Sequence, residues 1–414
     1  MGLFRAVVFC VTILVLLAGC TLMSAKKDIE KIERVSVVSG EIFSPGVDSV
    51  VVVCCRAVQE GYEAVQINIL KGQGWYFFDV PEGSYSVFAF VDKNNNLKYD
   101  AGELLSTHDN LLPVQTRINM PARMVDVDLT QNKEVPQGLP VDFNSVEHIH
   151  RIDPGEIANL DDPRFSKEKA AMGLWEPYRY VHEVGFGLFW EEEWASQKIP
   201  VIFVHGASGS PQEFRSISRY LDKERFQVGY FYYPSGLRLQ GISRFLDSSL
   251  RHLRQRYSPK SFVVVAHSMG GLIARKGIIS YSNGTERNDI PLFVSISTPW
   301  GGHQAAKLGV ENSPVVIPSW RDMEPGSAFL KDLWAEDLPD SVDYHLLFSF
   351  KGDSSFVMDN NDGSVSIESQ LDPRAQVAAT RTYGHNSGHT DILFEGDTIR
   401  QVVELMEPID EPGL

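Results

Sequence analysis

The chain is poor in cysteine, in positive charge and in long apolar stretches. Four cysteines in 414 residues give no disulfide framework, and none has the spacing of zinc ligands. Cys54 and Cys55 are adjacent in a strand-like run, SVVVVCCRAV. Neighbouring strand residues point to opposite faces, so two unpaired cysteines are expected, at least one of them in the core. The 38 Lys and Arg are outnumbered by 54 Asp and Glu, for a net charge of −16. Nucleic-acid binding depends on cations neutralising phosphates, so that partner is excluded. The overall charge also gives no help with anionic lipid head groups. There is no internal repeat and no low-complexity segment. The apolar run near the start, Ala6 to Ala18, is shorter than the ~20 residues of a membrane span.

That run follows one basic residue, Arg5, and ends in Leu17-Ala18-Gly19-Cys20. A short apolar segment with this flank fits a secretory signal over residues 1–20. The ending resembles the bacterial lipobox, in which the cysteine is lipid-modified and becomes the new N-terminus. The alternative is an ordinary signal peptide or membrane anchor. The resemblance implies attachment to a membrane through acyl chains on Cys20. Thr21, where Asp would signal retention, implies the outer membrane if the source is Gram-negative.

From residue 36 to 130 the sequence is a series of short strands, among them SVVVVCCRAV, EAVQINIL, GWYFFDV and YSVFAFVD, separated by Pro/Gly-containing turns. Strands and turns at this spacing predict a β-sandwich. The stretch FFDVPEGSYSVFAFVDKNNNLKYDAGE resembles the transthyretin-like, carboxypeptidase-regulatory-like modules. Inside it, Asp92, Asn94, Asn96, Asp100 and Glu103 stand at positions 1, 3, 5, 9 and 12 of a calcium-loop pattern. Leu97 occupies the position where that pattern has Gly. The alternatives are a structural calcium site and a polar loop closed by local Asn turns.

Residues 131–197 are expected to be a linker or lid-like region. From 198 to 410 the pattern becomes apolar strands (IPVIFVHG, FQVGYFYYP, FVVVAHS, PLFVSIS, YHLLFSF) alternating with helical segments. This predicts an α/β domain on a mostly parallel sheet with helices on both faces. Functional sites of such sheets form at the carboxyl ends of the strands.

Ser268 stands at such an end, in Ala266-His267-Ser268-Met269-Gly270. It is either the cap of the following helix or a nucleophile on a tight strand–helix turn, where residues two positions away must be small. A serine hydroxyl needs a base, and the base an orienting acid. Asp362 follows the YHLLFSF strand, with Asp353 in reserve and Asp391 read as solvated. His389 and His385 are the candidate bases. Five segments in order, VHGASGSPQEF, AHSMGGLIARK, STPWGGHQAA, NDGSVSIESQ and GHTDIL, resemble the lipase-like α/β-hydrolases, in particular the bacterial lipase and GPI-inositol-deacylase-like group. The resemblance covers about residues 198–410. It implies Ser268 as nucleophile, Asp362 as acid and His389 as base. It also implies an oxyanion hole of the Ala207 and Met269 N–H groups, and no cofactor for catalysis. His267 is read as a packed elbow residue and His303 as lining the site.

The expectation is therefore a membrane-anchored serine hydrolase acting on lipid or acyl esters. A thioesterase, amidase or acyltransferase would use the same three groups. The rival from another class is a surface binding lipoprotein on a retired hydrolase scaffold.

Overall fold

The computed structural model describes residues 22–410 apart from 47, 119–121, 123, 153–154, 284–288 and 353–359. Cys20 and Asp353 lie outside the described residues. The chain forms two compact units, one of residues 30–154 and one of the residues up to Ile29 together with those from Gly155 onward.

The first unit is all β. Its strands are β1 (Val35–Phe43), β2 (Ser49–Val58), β3 (Gly61–Lys71), β4 (Gly74–Pro81), β5 (Gly83–Val91), β6 (Leu105–Thr107), β7 (Val114–Thr116), β8 (Val127–Asp128) and β9 (Ile149–Ile152). A three-stranded sheet of order β4-β1-β8 faces a six-stranded sheet of order β6-β5-β2-β3-β9, with β7 beside β5. Alternation along β2 decides which side chains go where. Val50, Val52 and Cys54 join the core shared with β1 and β4. Val51, Val53 and Cys55 point the other way, into a second cluster with Phe88, Phe90, Leu139 and Phe143. Both cysteines are buried and free. Residues 131–197, read from the sequence as a linker or lid, are in fact divided. Leu139 and Phe143 cover the outer face of the larger sheet, and β9 pairs in parallel with β3. The remainder belongs to the second unit.

The second unit is built on an eight-stranded sheet of order β10-β11-β13-β12-β14-β15-β16-β17. The strands are β10 (Glu156–Ile157), β11 (Gly187–Trp190), β12 (Ile199–Val204), β13 (Phe226–Tyr232), β14 (Val263–His267), β15 (Leu292–Ile296), β16 (Asp343–Ser349) and β17 (Arg381–His385). β11 runs antiparallel to β13, whereas the pairings from β13 through β17 are parallel. The inner strands are buried along their whole length, as continuous apolar runs between two helical layers should be.

The helices are α1 (residues 22–32), α2 (Lys167–Trp175), α3 (Pro177–Glu183), α4 (Arg215–Tyr220), α5 (Leu239–Tyr257), α6 (Met269–Ser282), α7 (Gln304–Asn312), α8 (Pro318–Met323), α9 (Ala328–Leu333), α10 (Ile367–Gln370), α11 (Pro373–Ala378) and α12 (Gly396–Met406). α5 buries Ile242, Phe245, Leu246, Leu250 and Leu253 on one face, the 3.6-residue stripe of a helix packed on a sheet. On the other layer, Ile399, Val402 and Met406 of α12 enter the core with Ile217 of α4 and Val201, Val265 and Val294 of the sheet. The first described helix, α1, packs on this unit. Ala25 and Ile29 of α1 bury with Val315 and Ile317, and the Asp28 carboxylate accepts the N–H groups of Tyr178 and Arg179 at the start of α3. A cap of this kind contributes about 1 kcal/mol, and burying one Ile side chain about 1.5–3 kcal/mol.

Candidate active site

Strand β14 delivers five buried residues and stops at a sharp turn. Ser268 sits there with φ 51 and ψ −129, a backbone region that costs on the order of 1–3 kcal/mol unless its surroundings impose it. Gly270 is one reason the surroundings can. A Cβ there would stand 2.4 Å from the carbonyl oxygens of Val204 and His205, so α6 can lie this close to β12 only without a side chain. Ala266 is wholly buried, so its extra methyl relative to glycine is accommodated. The Ser268 N–H bonds Ile296 O at 2.8 Å, which ties the turn to β15.

Ser268 Oγ lies 2.8 Å from His389 Nε2, and His389 Nδ1 lies 2.7 Å from Asp362 Oδ2. Residues separated by more than a hundred positions thus form a continuous Ser–His–Asp chain. An ionised carboxylate only accepts, so Nδ1 carries the proton and Nε2 is left to accept from the serine. His385, the other candidate base, points elsewhere: its Nδ1 meets Thr398 Oγ1 at 3.1 Å.

Asp362 is heavily supported. Beyond His389, its oxygens accept from Ser349 Oγ at 2.6 Å, Gln370 Nε2 at 3.0 Å, Val365 N at 2.7 Å and Ser364 N at 3.0 Å. Burial alone would raise the carboxyl pKa. The His389 hydrogen bond and charge, with Ser349 and Val365, outweigh it and hold it below the usual value. For His389 the balance goes the other way. Burial lowers the imidazole pKa, and the Asp362 partner only partly offsets it, so the ring is neutral, and able to accept a proton, at neutral pH. Gln370 fixes the geometry further, since its Oε1 accepts the Ser349 N–H at 3.0 Å.

The expected oxyanion donors border the same turn. The Met269 N–H opens α6, and Ala207 lies in the loop after β12. The loop is held by Ser208, in a left-handed conformation with φ 54, whose N–H bonds Ser235 Oγ at 2.9 Å. Backbone donors fixed in advance are what a developing oxyanion requires.

Three groups missed or underrated in the sequence crowd this centre. His267 Nε2 lies 2.9 Å from His389 O, and its Nδ1 lies 3.5 Å from Glu213 Oε2. Burial would raise the Glu213 pKa, but His267 beside it brings it below the ordinary glutamate value. His303 Nε2 meets Ser364 Oγ at 3.3 Å, and burial lowers its pKa to about 4.

In the β unit, the loop 92–103 closes on itself. Asp92 accepts the N–H groups of Asn96 and Leu97, and Glu103 those of Lys93 and Asp100. Leu97 has φ 56, the left-handed conformation for which the calcium-loop pattern uses glycine. The donor set is all oxygen apart from the Asn94 and Asn96 amides, whose nitrogens face Asp100 at 2.8 and 2.9 Å. The Asn94 and Asn96 side-chain oxygens in turn accept the N–H groups of Asn96 and Lys98.

A family described as the PGAP1-like alpha/beta domain matches residues 195–313. The sheet order, one antiparallel pairing near its edge and the elbow at the end of β14 give the architecture. The second unit has the α/β-hydrolase fold. Among solved structures, mature Bacillus licheniformis lipase BlEst2 is 18% identical, over 53% of this chain and 94% of that one, with a TM-score of 0.41. Aspergillus fumigatus lipase B is 16% identical over 50% and 52% of the two chains, with a TM-score of 0.40. The Pyrococcus furiosus esterase PF2001 is 18% identical over 54% and 86%, with a TM-score of 0.37. No curated protein matches the chain at a significant level.

Proposed function

We propose that the hydrolase unit cleaves carboxylic esters, of lipids or other acyl compounds, through a covalent acyl-enzyme. The observation that carries this reading is the unbroken hydrogen-bonded chain from Ser268 Oγ through His389 to Asp362. His389 Nε2 takes the hydroxyl proton as Ser268 Oγ attacks the ester carbonyl. Asp362 stabilises the imidazolium, and the N–H groups of Met269 and Ala207 receive the oxyanion. His389 then returns the proton to the leaving alcohol. Water, deprotonated by the same imidazole, breaks the acyl bond to Ser268 and releases the acid. No step calls for a cofactor.

We also propose that Cys20 carries the lipid that holds the protein on a membrane, the outer membrane if the source is Gram-negative. The motif Leu17-Ala18-Gly19-Cys20 supports this. For the β unit, the oxygen-rich loop supports a structural calcium role at Asp92, Asn94, Asn96, Asp100 and Glu103.

The test is turnover of p-nitrophenyl esters from acetyl to palmitoyl, beside Ser268→Ala. Activity that disappears in the variant, with fluorophosphonate labelling of Ser268 in the wild type, is the expected result. The chain-length optimum separates esterase from lipase, and parallel thioester and amide substrates test the bond. Absence of both turnover and labelling would mark the fold as a retired scaffold.

A further inference from the structure

The anchor and the active site are connected through α1. We infer that the face formed by α1, α2, α7 and α8 docks on the lipid bilayer and turns the mouth of the catalytic site towards it. The inference rests on the lipid anchor at Cys20 and on the ester-hydrolase reading.

The chain after Cys20 has almost no slack. A residue spans at most ~3.5 Å, so Leu22 lies within about 7 Å of a lipidated Cys20. From there α1 is fastened. Ala25 and Ile29 bury against Val315 and Ile317, with Leu174 and Trp320 packed on them, and Asp28 holds the start of α3. A lipoprotein with a long flexible tether could tumble above its membrane. This hydrolase unit is held at the surface by the residues next to the anchor.

What α1 lies on adjoins the site. Gly173 O, at the end of α2, accepts the Gly236 N–H at 2.8 Å, and Gly236 O accepts the Ser319 N–H of α8 at 3.1 Å. Next to Gly236, Ser235 Oγ accepts from Ser208 in the oxyanion loop. On the other side, α7 is capped by His303, whose ring meets Ser364 beside Asp362. The layer that receives α1 therefore touches both the oxyanion loop and the acid loop.

The same layer exposes apolar side chains. Leu22, Met23, Trp175 and Leu308 are 37%, 63%, 39% and 45% accessible. Single exposed apolar residues are ordinary, but Trp175 and Leu308 are linked through Trp320, which also packs on the α1 cluster. The Trp175 ring packs edge-on against Trp320 at 5.6 Å, and Trp320 covers Gly309, next to Leu308. Lys26 and Lys27 of α1 are exposed beside them. Tryptophan with flanking lysines suits the boundary between head groups and acyl chains. A bilayer is thus the occupant that the anchor, the apolar residues and the local positive charge have in common.

The experiment uses the full-length lipidated protein in phosphatidylcholine vesicles carrying brominated acyl chains. Two substrates are compared, a soluble p-nitrophenyl butyrate and a fluorogenic long-chain ester embedded in the vesicle. Brominated chains should quench the tryptophan fluorescence, and Trp175→Phe should lose a large part of that quenching. The triple variant M23E/W175E/L308E should hydrolyse the embedded ester about tenfold more slowly, as its contact with the acyl region is lost, with soluble-ester turnover unchanged. Equal quenching in Trp175→Phe, together with unchanged hydrolysis of the embedded ester by the triple variant, would overturn the orientation. Soluble-ester turnover in that case leaves the hydrolase reading standing. Loss of turnover on both substrates with quenching intact would reject the hydrolase reading and keep the orientation. If Cys20→Ser still fractionates with membranes as the wild type does, the anchor fails and the inference with it. A detergent-solubilised dimer that the triple variant dissociates would make the occupant a second copy and reject the bilayer.

Discussion

The ring Nε2 of His267 lies 2.9 Å from the carbonyl oxygen of His389. The residue just before Ser268 thus holds the backbone of His389, and Glu213 stands 3.5 Å behind it. We expect His267→Phe to lower kcat about tenfold with little change in KM, because the base loses a fixed position and substrate contacts remain. A pH profile distinguishes positioning from mere loss of stability. Burial lowers the His389 pKa most and the neighbouring His267 ring adds to this, while Asp362 and Glu213 raise it. Removing His267 therefore raises that pKa, and the acid limb of kcat/KM should move to higher pH. A profile that keeps its shape while kcat falls would reject the positioning role.

Asp362 gives the second prediction. Its oxygens face donors only, namely His389 Nδ1, Ser349 Oγ, Gln370 Nε2 and two backbone N–H groups. An amide in its place puts an N–H against one of these donors and favours the wrong imidazole tautomer. Asp362→Asn should cost about 10³–10⁴-fold in kcat with the fold intact. Gln370→Ala removes one donor from the carboxylate and should cost about tenfold. Fluorophosphonate labelling rates of Ser268 would follow the same order. Wild-type labelling in Asp362→Asn would show that another acid, such as Asp353, serves His389.

Much of this centre was legible because tight turns restrict residue choice locally. Ala266, Ser268 and Gly270 signal the elbow within five positions, and the order of Ser268, Asp362 and His389 follows the chain. The supporting groups were not legible. Ser349 and Gln370 come from a strand end and a short helix, and only folding brings them to Asp362. Glu213 gave no local signal either, as one acid in a polar loop. In the fold, the inner strands were visible as apolar runs. β17 was not, because its RTYGH segment is an exposed edge with no apolar pattern. β11 is four buried residues, Gly187–Trp190, too short for a period to show among the neighbouring aromatics. The role of residues 139–143 depended on the second face of the β sheet needing a cover, which one strand's alternation does not reveal.

The loop 92–103 should respond to calcium. Its carboxylates are held by backbone N–H groups, and Leu97 already adopts the left-handed turn of the pattern. Millimolar calcium should raise the melting temperature of the full chain relative to chelator, and Asp92→Ala should abolish the increase. Turnover of a soluble ester should not change, since the loop belongs to the β unit. Calorimetry that detects no calcium-linked heat at millimolar metal would remove calcium from the description.

Acid should destabilise the hydrolase unit before carboxylates begin to protonate. Burial lowers the imidazole pKa values of His205, His252 and His303 from 6.5 to about 4. The unfolded chain takes up these protons near pH 6.5 and the folded chain only near 4. The stability contributed by the neutral rings is therefore present above pH 6.5 and lost as pH falls towards 4. Each ring costs about 1.4 kcal/mol per pH unit across that window. His252 isolates the effect, since it lies on α5, outside the Ser268, Asp362 and His389 turns, and neither ring nitrogen has a partner among the described residues. His252→Leu should flatten the fall of the urea midpoint between pH 7 and pH 5, read by tryptophan fluorescence. An unchanged slope would mean that His252 is not held neutral in the folded protein.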